Sequence, residues 1–298
     1  MHPEQPTRIE VRRARSLRGL HEEALVLQAM EVPHDVVQVE DGYLLVVPPP
    51  YFAQAREQLA VYARENQSFP PRPESIQLVS LGLEGSLFYA LVLILLFAFQ
   101  SNRAFDLDWK RAGISKAELF RAGEWWRPMT SLTLHADLEH LLGNVFFGVL
   151  FGILVAQLVG SGVAWLAILT AGFLGNAVNA LVQSGTHASL GASTAVFGAL
   201  GLLVGYEWKR RRRLKHRALR RWAPPIFGAV LLGWLGFGGE ETDVLAHVFG
   251  FLAGVALGLP LGVLETRVEL SSRPLQQTTA WAAIALLAVA WGLAHVLR

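Results

Sequence analysis

Residues 191–208 read GASTAVFGALGLLVGYEW, and this stretch decides the fold. No charged side chain occurs before Glu207, so the run is apolar enough to lie in a lipid bilayer as a helix. Its most conspicuous polar group is the hydroxyl of Ser193, which stands near the head of the run among small residues. Polar groups that persist inside lipid are functional by default, so this hydroxyl needs an explanation.

The composition indicates a membrane protein. Of the 298 residues, 52% are hydrophobic and only 17% are charged, whereas about 25% of the residues in a soluble domain are charged. Residues 1–80, which precede the first apolar run, are rich in charged side chains, and this predicts a small soluble N-terminal domain. The chain has no cysteine, which excludes disulfides, thiolate catalysis and cysteine-ligated metals. We expect no metal site and no cofactor.

The N-terminal segment has the pattern of a small α+β domain. Glu40-Asp41-Gly42 is a hairpin turn signal between two apolar stretches, and Pro48-Pro49-Pro50 separates the second stretch from an amphipathic run. The expected elements are a helix, the two strands of the hairpin and a second helix, at residues 16–32, 34–39, 43–48 and 51–67. We predict a domain over residues 1–70 and a proline-rich linker over residues 71–82.

Long apolar runs separated by short polar ones follow this linker. We predict seven membrane-spanning helices, at residues 83–99, 141–159, 163–182, 192–206, 224–237, 244–264 and 279–296. The fourth and fifth are short for a span. Several are rich in glycine, which allows the backbones of neighbouring helices to approach closely.

Basic residues predict the orientation of these spans. Residues 209–221 read KRRRRLKHRALRR without an acidic residue, and such loops lie on the cytoplasmic side. Counting spans back from this loop places the N-terminal domain in the cytoplasm and the first loop, residues 100–139, outside. Amphipathic helices in this first loop are expected to lie in the membrane interface. Short basic loops beside spans normally set topology, so we expect the lipid bilayer and no nucleic acid as a partner.

Two predicted spans carry glycine stripes with a polar residue at the outer end. His247, Gly250 and Gly254 share one helix face, and Ser193 heads a similar stripe on the fourth span. Close packing of these helices would bring Ser193 and His247 together as a nucleophile and its base. Each residue taken alone is also compatible with a structural role in helix packing.

The outer end of the second span predicts donors for an oxyanion. His140 and Asn144 lie four residues apart and therefore share a helix face, and both side chains can donate hydrogen bonds. A helix cap and a bond to a neighbouring helix are the structural alternatives. Trp126, Arg127 and His135 precede this span, where an arginine beside a tryptophan is usually an interface anchor.

Taken together, these residues resemble the rhomboid family of intramembrane serine proteases. The motifs that match in order and spacing are Trp126-Arg127, then His135, His140 and Asn144, then Gly191-Ala192-Ser193, and finally His247, Gly250 and Gly254. The resemblance covers about residues 83–264. Two positions depart from the family pattern, since Thr194 replaces a frequent glycine and Phe197 replaces a frequent tyrosine.

The resemblance implies a fold class. We expect an all-α polytopic membrane protein with a six-helix rhomboid-like core over residues 83–264, preceded by the α+β domain. Residues 265–298 would then add a loop and a seventh transmembrane helix, as in the six-plus-one forms of the family.

The resemblance also implies roles for the residues. Ser193 and His247 would be the catalytic dyad, and His140, Asn144 and the Ser193 backbone N–H would hold the oxyanion. The supporting positions would be Trp126, Arg127, His135, Gly191, Phe197, Gly250 and Gly254.

The expected activity is cleavage of transmembrane protein substrates near the extracytoplasmic face. The expected location is a bacterial inner membrane, with multiple spans and a cytoplasmic N-terminus. Two alternatives stay open, a rhomboid-like pseudoprotease that binds membrane helices without cleaving them and a transporter. The sequence does not indicate the physiological substrate or the oligomeric state.

Overall fold

The computed structural model describes residues 8–66, 79–236, 242–264 and 269–297. The chain divides into two compact units, Met1–Ile76 and Gln77–Arg298. Most of the linker predicted at residues 71–82 lies outside the described residues, as does the predicted end of the fifth span at residue 237. The domain boundaries derived from the sequence therefore stay predictions.

The first unit is a three-stranded antiparallel sheet with two helices. Its strand order is β1-β3-β2, so the third strand is central, and its core contains Leu20, Leu27, Leu45 and Val47. The elements are β1 (Ile9–Ala14), α1 (Arg18–Ala29), β2 (Asp35–Val39), β3 (Gly42–Val47) and α2 (Phe52–Glu65). The helix, hairpin and helix of the sequence analysis are all present.

Strand β1 was not predicted. Its sequence, IEVRRA, has consecutive arginines at Arg12 and Arg13, which hide the alternation typical of a strand. A register shift between Glu10 and Arg12 interrupts the pairing with β3 as well. The strand is therefore defined by its long-range partner, which a local pattern does not reveal.

The second unit is helical. Its helices are α3 (Leu83–Ser101), α4 (Trp109–Gly113), α5 (Ala117–Arg121), α6 (Arg127–Thr130), α7 (Leu138–Val159), α8 (Ser161–Val182), α9 (Ser193–Arg213), α10 (Ala218–Gly236), α11 (Val244–Leu264) and α12 (Arg273–Val296). Two short strands, β4 (Ser115–Lys116) and β5 (Ala188–Ser189), pair antiparallel between the loops. Within the described residues, five helices are long and apolar enough to cross a membrane, namely α3, α7, α8, α11 and α12. The chain is thus an integral multi-pass membrane protein.

Helices also form at the fourth and fifth predicted spans, but neither α9 nor α10 is among these five. Helix α9 ends in Lys209 and four arginines, and α10 has Arg220 and Arg221 in its first turn, followed by Pro224 and Pro225. These residues lower the mean hydropathy over the length of a span. The proposal that α9 and α10 cross the membrane stays a prediction.

Helix α9 lies at the centre of the bundle and packs most extensively on α11. Their backbones approach closely at glycines, as the two glycine stripes predict. A Cβ atom at Gly254 would collide with the carbonyl oxygen of Gly198, and one at Gly201 would collide with that of Phe251. The two helices that carry Ser193 and His247 are therefore in direct backbone contact.

Helix α12 packs on α8 and on the short helices α4 and α6 of the first loop. Near its start, the Gln276 side chain accepts from the backbone N–H of Gly162 at 2.7 Å and donates to the carbonyl of Val159 at 2.9 Å. Near its end, the Trp291 indole N–H donates to Thr133 Oγ1 at 3.1 Å. Helix α12 is thereby attached to the bundle near both of its own ends.

Candidate active site

Ser193 is placed by a turn that only glycine allows. Gly191 has a positive φ of 124°, and its N–H donates to the carbonyl of Ser131 at 2.9 Å. A Cβ atom at Gly191 would lie 2.6 Å from His140 Cε1, which is closer than real Cβ contacts. The turn ends at the first residue of α9, so the Ser193 hydroxyl lies where the helix has unpaired backbone N–H groups.

The structure brings Ser193 and His247 into hydrogen-bonding distance. His247 Nε2 lies 2.9 Å from Ser193 Oγ, and His247 Nδ1 lies 3.1 Å from the carbonyl oxygen of Gly236. A carbonyl can only accept, so Nδ1 carries the proton and Nε2 of the neutral ring has the lone pair. The serine hydroxyl then donates to Nε2, which is the arrangement of a nucleophile and a general base.

Phe197 holds the His247 ring from one side. It lies one helical turn after Ser193, and the two ring centroids are 4.5 Å apart with 34° between their planes. Gly250 and Gly254 on α11 have no side chains, so α11 can lie directly against the backbone of α9. The imidazole is therefore fixed both by a hydrogen bond and by ring contact.

His140 and Asn144 lie on the first two turns of α7, beside Gly191. Asp137 caps this helix by accepting from the N–H of His140 at 2.8 Å. Asn144 Nδ2 donates to the carbonyl of His140 at 3.0 Å. A Cβ at Gly191 would meet the His140 ring at 2.6 Å and Asn144 Nδ2 at 3.7 Å, so both side chains border the turn that leads to Ser193.

His135 is fully buried beneath this group. Its backbone forms two hydrogen bonds with the Gln100 side chain, of 2.7 Å and 3.2 Å, and its ring lies edge-on to that of His140 with centroids 5.2 Å apart. Burial and the nearby His140 lower the pKa of His135 to about 3, and the backbone of Thr133 only partly offsets this. His135 is therefore neutral at physiological pH.

Arg127 is held by other residues of the first loop. Its Nε atom lies 2.6 Å from Glu124 Oε2, and its Nη1 donates to the carbonyls of Arg111 and Ile114 at 3.1 and 2.9 Å. Among the described residues, the recorded polar contacts of Arg127 are with this loop and none is with Ser193. Trp126 is buried in the core that includes Met129 and Leu132. Both residues thus position the loop whose Ser131 carbonyl holds Gly191.

Several groups around His247 are not predicted by the sequence pattern. The Gly236 carbonyl is a backbone group, so no pattern of side chains in the sequence could predict that it binds His247. Asp243 immediately precedes α11, and its largely buried carboxylate binds His187 and Asn179 rather than the His247 ring. Asn179 could have been found from the sequence, since a polar residue inside an apolar run signals a partner. Within the described residues, no three His, Asp or Glu side chains converge as ligands for a metal ion.

The family model described as Rhomboid domain matches residues 122–263, which include every site residue named above except Gln100, Arg111 and Ile114. This chain contains a rhomboid domain. The rhomboid domain begins before Trp126 and ends within α11, and the all-α polytopic fold class predicted from the sequence is confirmed.

Several rhomboid proteins are similar to this chain. Rhomboid protease GluP of Bacillus subtilis is 31% identical over 181 residues, which cover 58% of this chain and 34% of that protein. Rhomboid-like protein 11, chloroplastic, of Arabidopsis thaliana is 34% identical over 143 residues, or 45% and 51% of the two chains. Rhomboid-like protease 3 of Toxoplasma gondii is 32% identical over 146 residues, or 49% and 55%. The match thus spans between about a third and just over half of the length of these relatives.

Proposed function

We propose that this protein is an intramembrane serine endopeptidase that cleaves transmembrane proteins near the extracytoplasmic face. The observation that carries the proposal is the 2.9 Å contact between Ser193 Oγ and His247 Nε2, inside a helical membrane domain of the rhomboid family. The protease names of two relatives, in Bacillus subtilis and Toxoplasma gondii, also support it.

In the proposed reaction, His247 Nε2 takes the proton from Ser193 as Oγ attacks the carbonyl carbon of the scissile peptide bond. The resulting imidazolium is stabilised by its Nδ1–H bond to the Gly236 carbonyl. It then protonates the leaving amine, and an acyl-enzyme forms on Ser193. Water activated by His247 hydrolyses this ester and restores the serine hydroxyl.

The tetrahedral oxyanion is proposed to bind beside Gly191. The backbone N–H of Ser193 belongs to the first turn of α9 and points out of the helix end. Asn144 Nδ2 has two hydrogens, and only one of them is used by the His140 carbonyl. Its second hydrogen, together with the His140 ring, can donate to the oxyanion when the substrate is bound.

The dyad lacks a carboxylate partner in the described structure. Gly236 fills the position that an aspartate holds in a triad, and a neutral carbonyl stabilises an imidazolium less than a charged carboxylate does. The base is therefore weaker than in a triad, and turnover is expected to be slow compared with soluble serine proteases.

The depth of the site constrains the substrate. Ser193 is the first residue of α9, so a cavity open to the outer face would supply water to it. Extended backbone at this depth is tolerated only where it is enclosed by protein or water. We therefore propose that the substrate helix unwinds at the site and that small or helix-breaking residues flank the cleaved bond.

The rival proposal is a rhomboid pseudoprotease that binds membrane helices without cleaving them, and Thr194 is the departure that would favour it. Thr194 is buried, and its methyl group faces Gly175 on α8 and Gly250 on α11. This direction leads into the helix contacts and leaves the Ser193 hydroxyl unobstructed. The orientation of Thr194 therefore supports the active enzyme over the pseudoprotease.

A cleavage assay tests the proposal. Purified full-length protein in lipid vesicles is incubated with several tagged single-span membrane proteins, beside the Ser193→Ala and His247→Ala variants. We expect the wild-type protein to cleave at least one substrate and both variants to cleave none. Labelling by a fluorophosphonate should be lost in Ser193→Ala and reduced in His247→Ala. Cleavage that persists in Ser193→Ala, or the absence of any cleavage and labelling, would contradict the protease.

A further inference from the structure

One carboxylate outside the dyad gathers hydrogen bonds from three separate parts of the chain. Asp243 Oδ2 accepts from Asn179 Nδ2 at 2.6 Å and lies 2.8 Å from His187 Nε2. Its Oδ1 accepts from the backbone N–H of Ala246 at 3.1 Å, and the nearby Ser189 side chain helps to lower the pKa of the same carboxylate. These donors belong to α8, to the loop before α9 and to α11.

The positions of these donors show which parts of the chain Asp243 connects. Asp243 immediately precedes α11, and His247 follows one turn later on that helix. His187 and Ser189 lie in the loop that leads directly into Gly191 and Ser193. The loop itself is anchored, since the His187 carbonyl accepts from the N–H of Ala117 at 3.1 Å. The carboxylate thus links the start of the His247 helix to the approach of the Ser193 helix.

The chemistry favours a charged carboxylate at this point. Burial raises the pKa of Asp243, but the hydrogen bonds from His187, Ala246 and Ser189 outweigh this effect and hold the pKa below its usual value. An ionised carboxylate is an acceptor with two oxygens, and charge-assisted hydrogen bonds are about twice as strong as neutral ones.

We propose that Asp243 is a positioning residue that clamps the loop before Ser193 to the start of α11 and so sets the distance between Ser193 and His247. This inference rests on the proposed protease function. Asp243 acts through helix placement, because the His247 ring uses the Gly236 carbonyl and the carboxylate of Asp243 binds other partners. The hydrogen bond from the His247 backbone N–H to the Asp243 carbonyl, of 3.2 Å, continues the same helix.

Kinetics with Asp243→Ala test the clamp. We expect kcat to fall about 10- to 100-fold, because small displacements of catalytic groups are costly. KM should change less than about threefold, since the substrate contacts remain. His187→Ala should lower kcat in the same direction, and the double variant should fall no further than Asp243→Ala alone. Asp108→Ala is the matched control: Asp108 also caps a helix, α4, by accepting from a backbone N–H at 3.0 Å, and its loss should leave kcat unchanged.

A distance measurement tests the clamp without any activity. The chain has no cysteine, so spin labels attach only at Thr186→Cys in the loop and Leu245→Cys on α11, which are both exposed. The wild-type background should give one narrow label distance, and Asp243→Ala should broaden it. If Asp243→Ala does not fold, Asp243→Asn replaces it, since the amide oxygen still caps α11 but the amide nitrogen cannot accept from Asn179 or His187.

The outcomes separate the two proposals. A wild-type kcat in the Asp243 variant, or an unchanged label distance, overturns the positioning role. If the wild-type protein cleaves nothing, the protease proposal fails, and the label distance alone then decides the clamp. A broadened distance with normal cleavage of all substrates also overturns it, because the dyad would then not depend on Asp243.

Discussion

At the scale of the residue, the candidate site depends on neighbouring groups that orient each polar side chain. His247 can act as a base because the Gly236 carbonyl holds Nδ1 in its protonated form, 3.1 Å away. Phe197 replaces a frequent tyrosine of the family and still contacts the imidazole, with centroids 4.5 Å apart. The ring contact is therefore kept, and the hydroxyl is the only group that this departure removes.

Asn144→Ala is predicted to slow the reaction without abolishing it. The substitution removes one of three proposed oxyanion donors, and the loss of one such donor typically lowers kcat about 10²- to 10³-fold. KM should change little, because the lost interaction forms mainly in the transition state. Steady-state cleavage of a fluorogenic transmembrane substrate measures both constants. A kcat within about twofold of wild type would remove Asn144 from the oxyanion site.

His135→Leu is predicted to change the pH dependence of stability. Since the pKa of His135 is about 3 in the folded protein and near 6.5 when unfolded, the unfolded state binds more protons between these values. The contribution of His135 is complete above pH 6.5 and decreases as the pH falls towards 3, by up to about 1.4 kcal/mol per pH unit. The variant should lose this slope.

Unfolding of both proteins in detergent micelles between pH 5 and 7 measures the slope. Other titrating groups contribute equally to wild type and variant, so the difference between the two curves isolates His135. Parallel curves would show that His135 is already protonated in the folded state or equally buried when unfolded.

At the scale of the element, backbone contact between α9 and α11 determines whether the dyad can form. The Ser193 and His247 side chains extend only a short distance from the axes of α9 and α11. The two axes must therefore lie closer together than large side chains at the contact would permit. Glycines at the contact provide this approach, with the carbonyl oxygens of one helix directly against the Cα atoms of the other.

Gly254→Ala and Gly292→Ala are predicted to have opposite effects on the stability of the protein. An added Cβ at Gly254 meets the Gly198 carbonyl, so it must push α11 away from α9 and lower both stability and cleavage. Gly292 on α12 has nothing within 4 Å of the added atom, so alanine should leave cleavage unchanged and raise helix stability by up to about 1 kcal/mol. Melting temperatures and cleavage rates of both variants decide this, and equal melting temperatures would contradict the close contact.

At the scale of the whole molecule, basic residues predict how the bundle lies in the membrane. Among the described residues, Arg210 and Arg211 pair with Glu207, yet the α9–α10 region keeps a large excess of positive charge. Such regions stay on the cytoplasmic side. Ser193 begins α9 and the basic run ends it, so the candidate site and the basic loop lie at opposite ends of this helix.

Single cysteines are predicted to react from opposite sides of the membrane. Leu219→Cys in the basic region and Phe105→Cys in the first loop replace side chains that are 83% and 74% exposed. In intact cells, a membrane-impermeant maleimide should label Phe105→Cys, whereas Leu219→Cys should react only after permeabilisation. The chain has no other cysteine, so wild type is the blank. Labelling of Leu219→Cys in intact cells would reverse the orientation.

Much of the fold could be predicted from the sequence because lipid imposes a simple rule on composition. Apolar runs long enough to cross a bilayer mark helices wherever they occur, and α3, α7, α8, α11 and α12 all lie within or around the predicted runs. Helices α9 and α10 were predicted for the same reason. Their basic ends lower the mean hydropathy, so their crossing of the membrane stays a prediction. Strand β1 was missed because its pairing with β3 depends on residues far along the chain.

The sequence by itself determined that this is a membrane bundle, which polar residues stand inside it, and that Ser193 and His247 head two glycine-lined helix faces. Only the tertiary structure decided which partner each polar group takes, including the Gly236 carbonyl at His247 and the three-way contact of Asp243. The physical reason is that a helical pattern predicts which face of the helix a residue occupies, whereas a hydrogen bond requires two atoms from different helices or loops to lie about 3 Å apart, within a few tenths of an ångström.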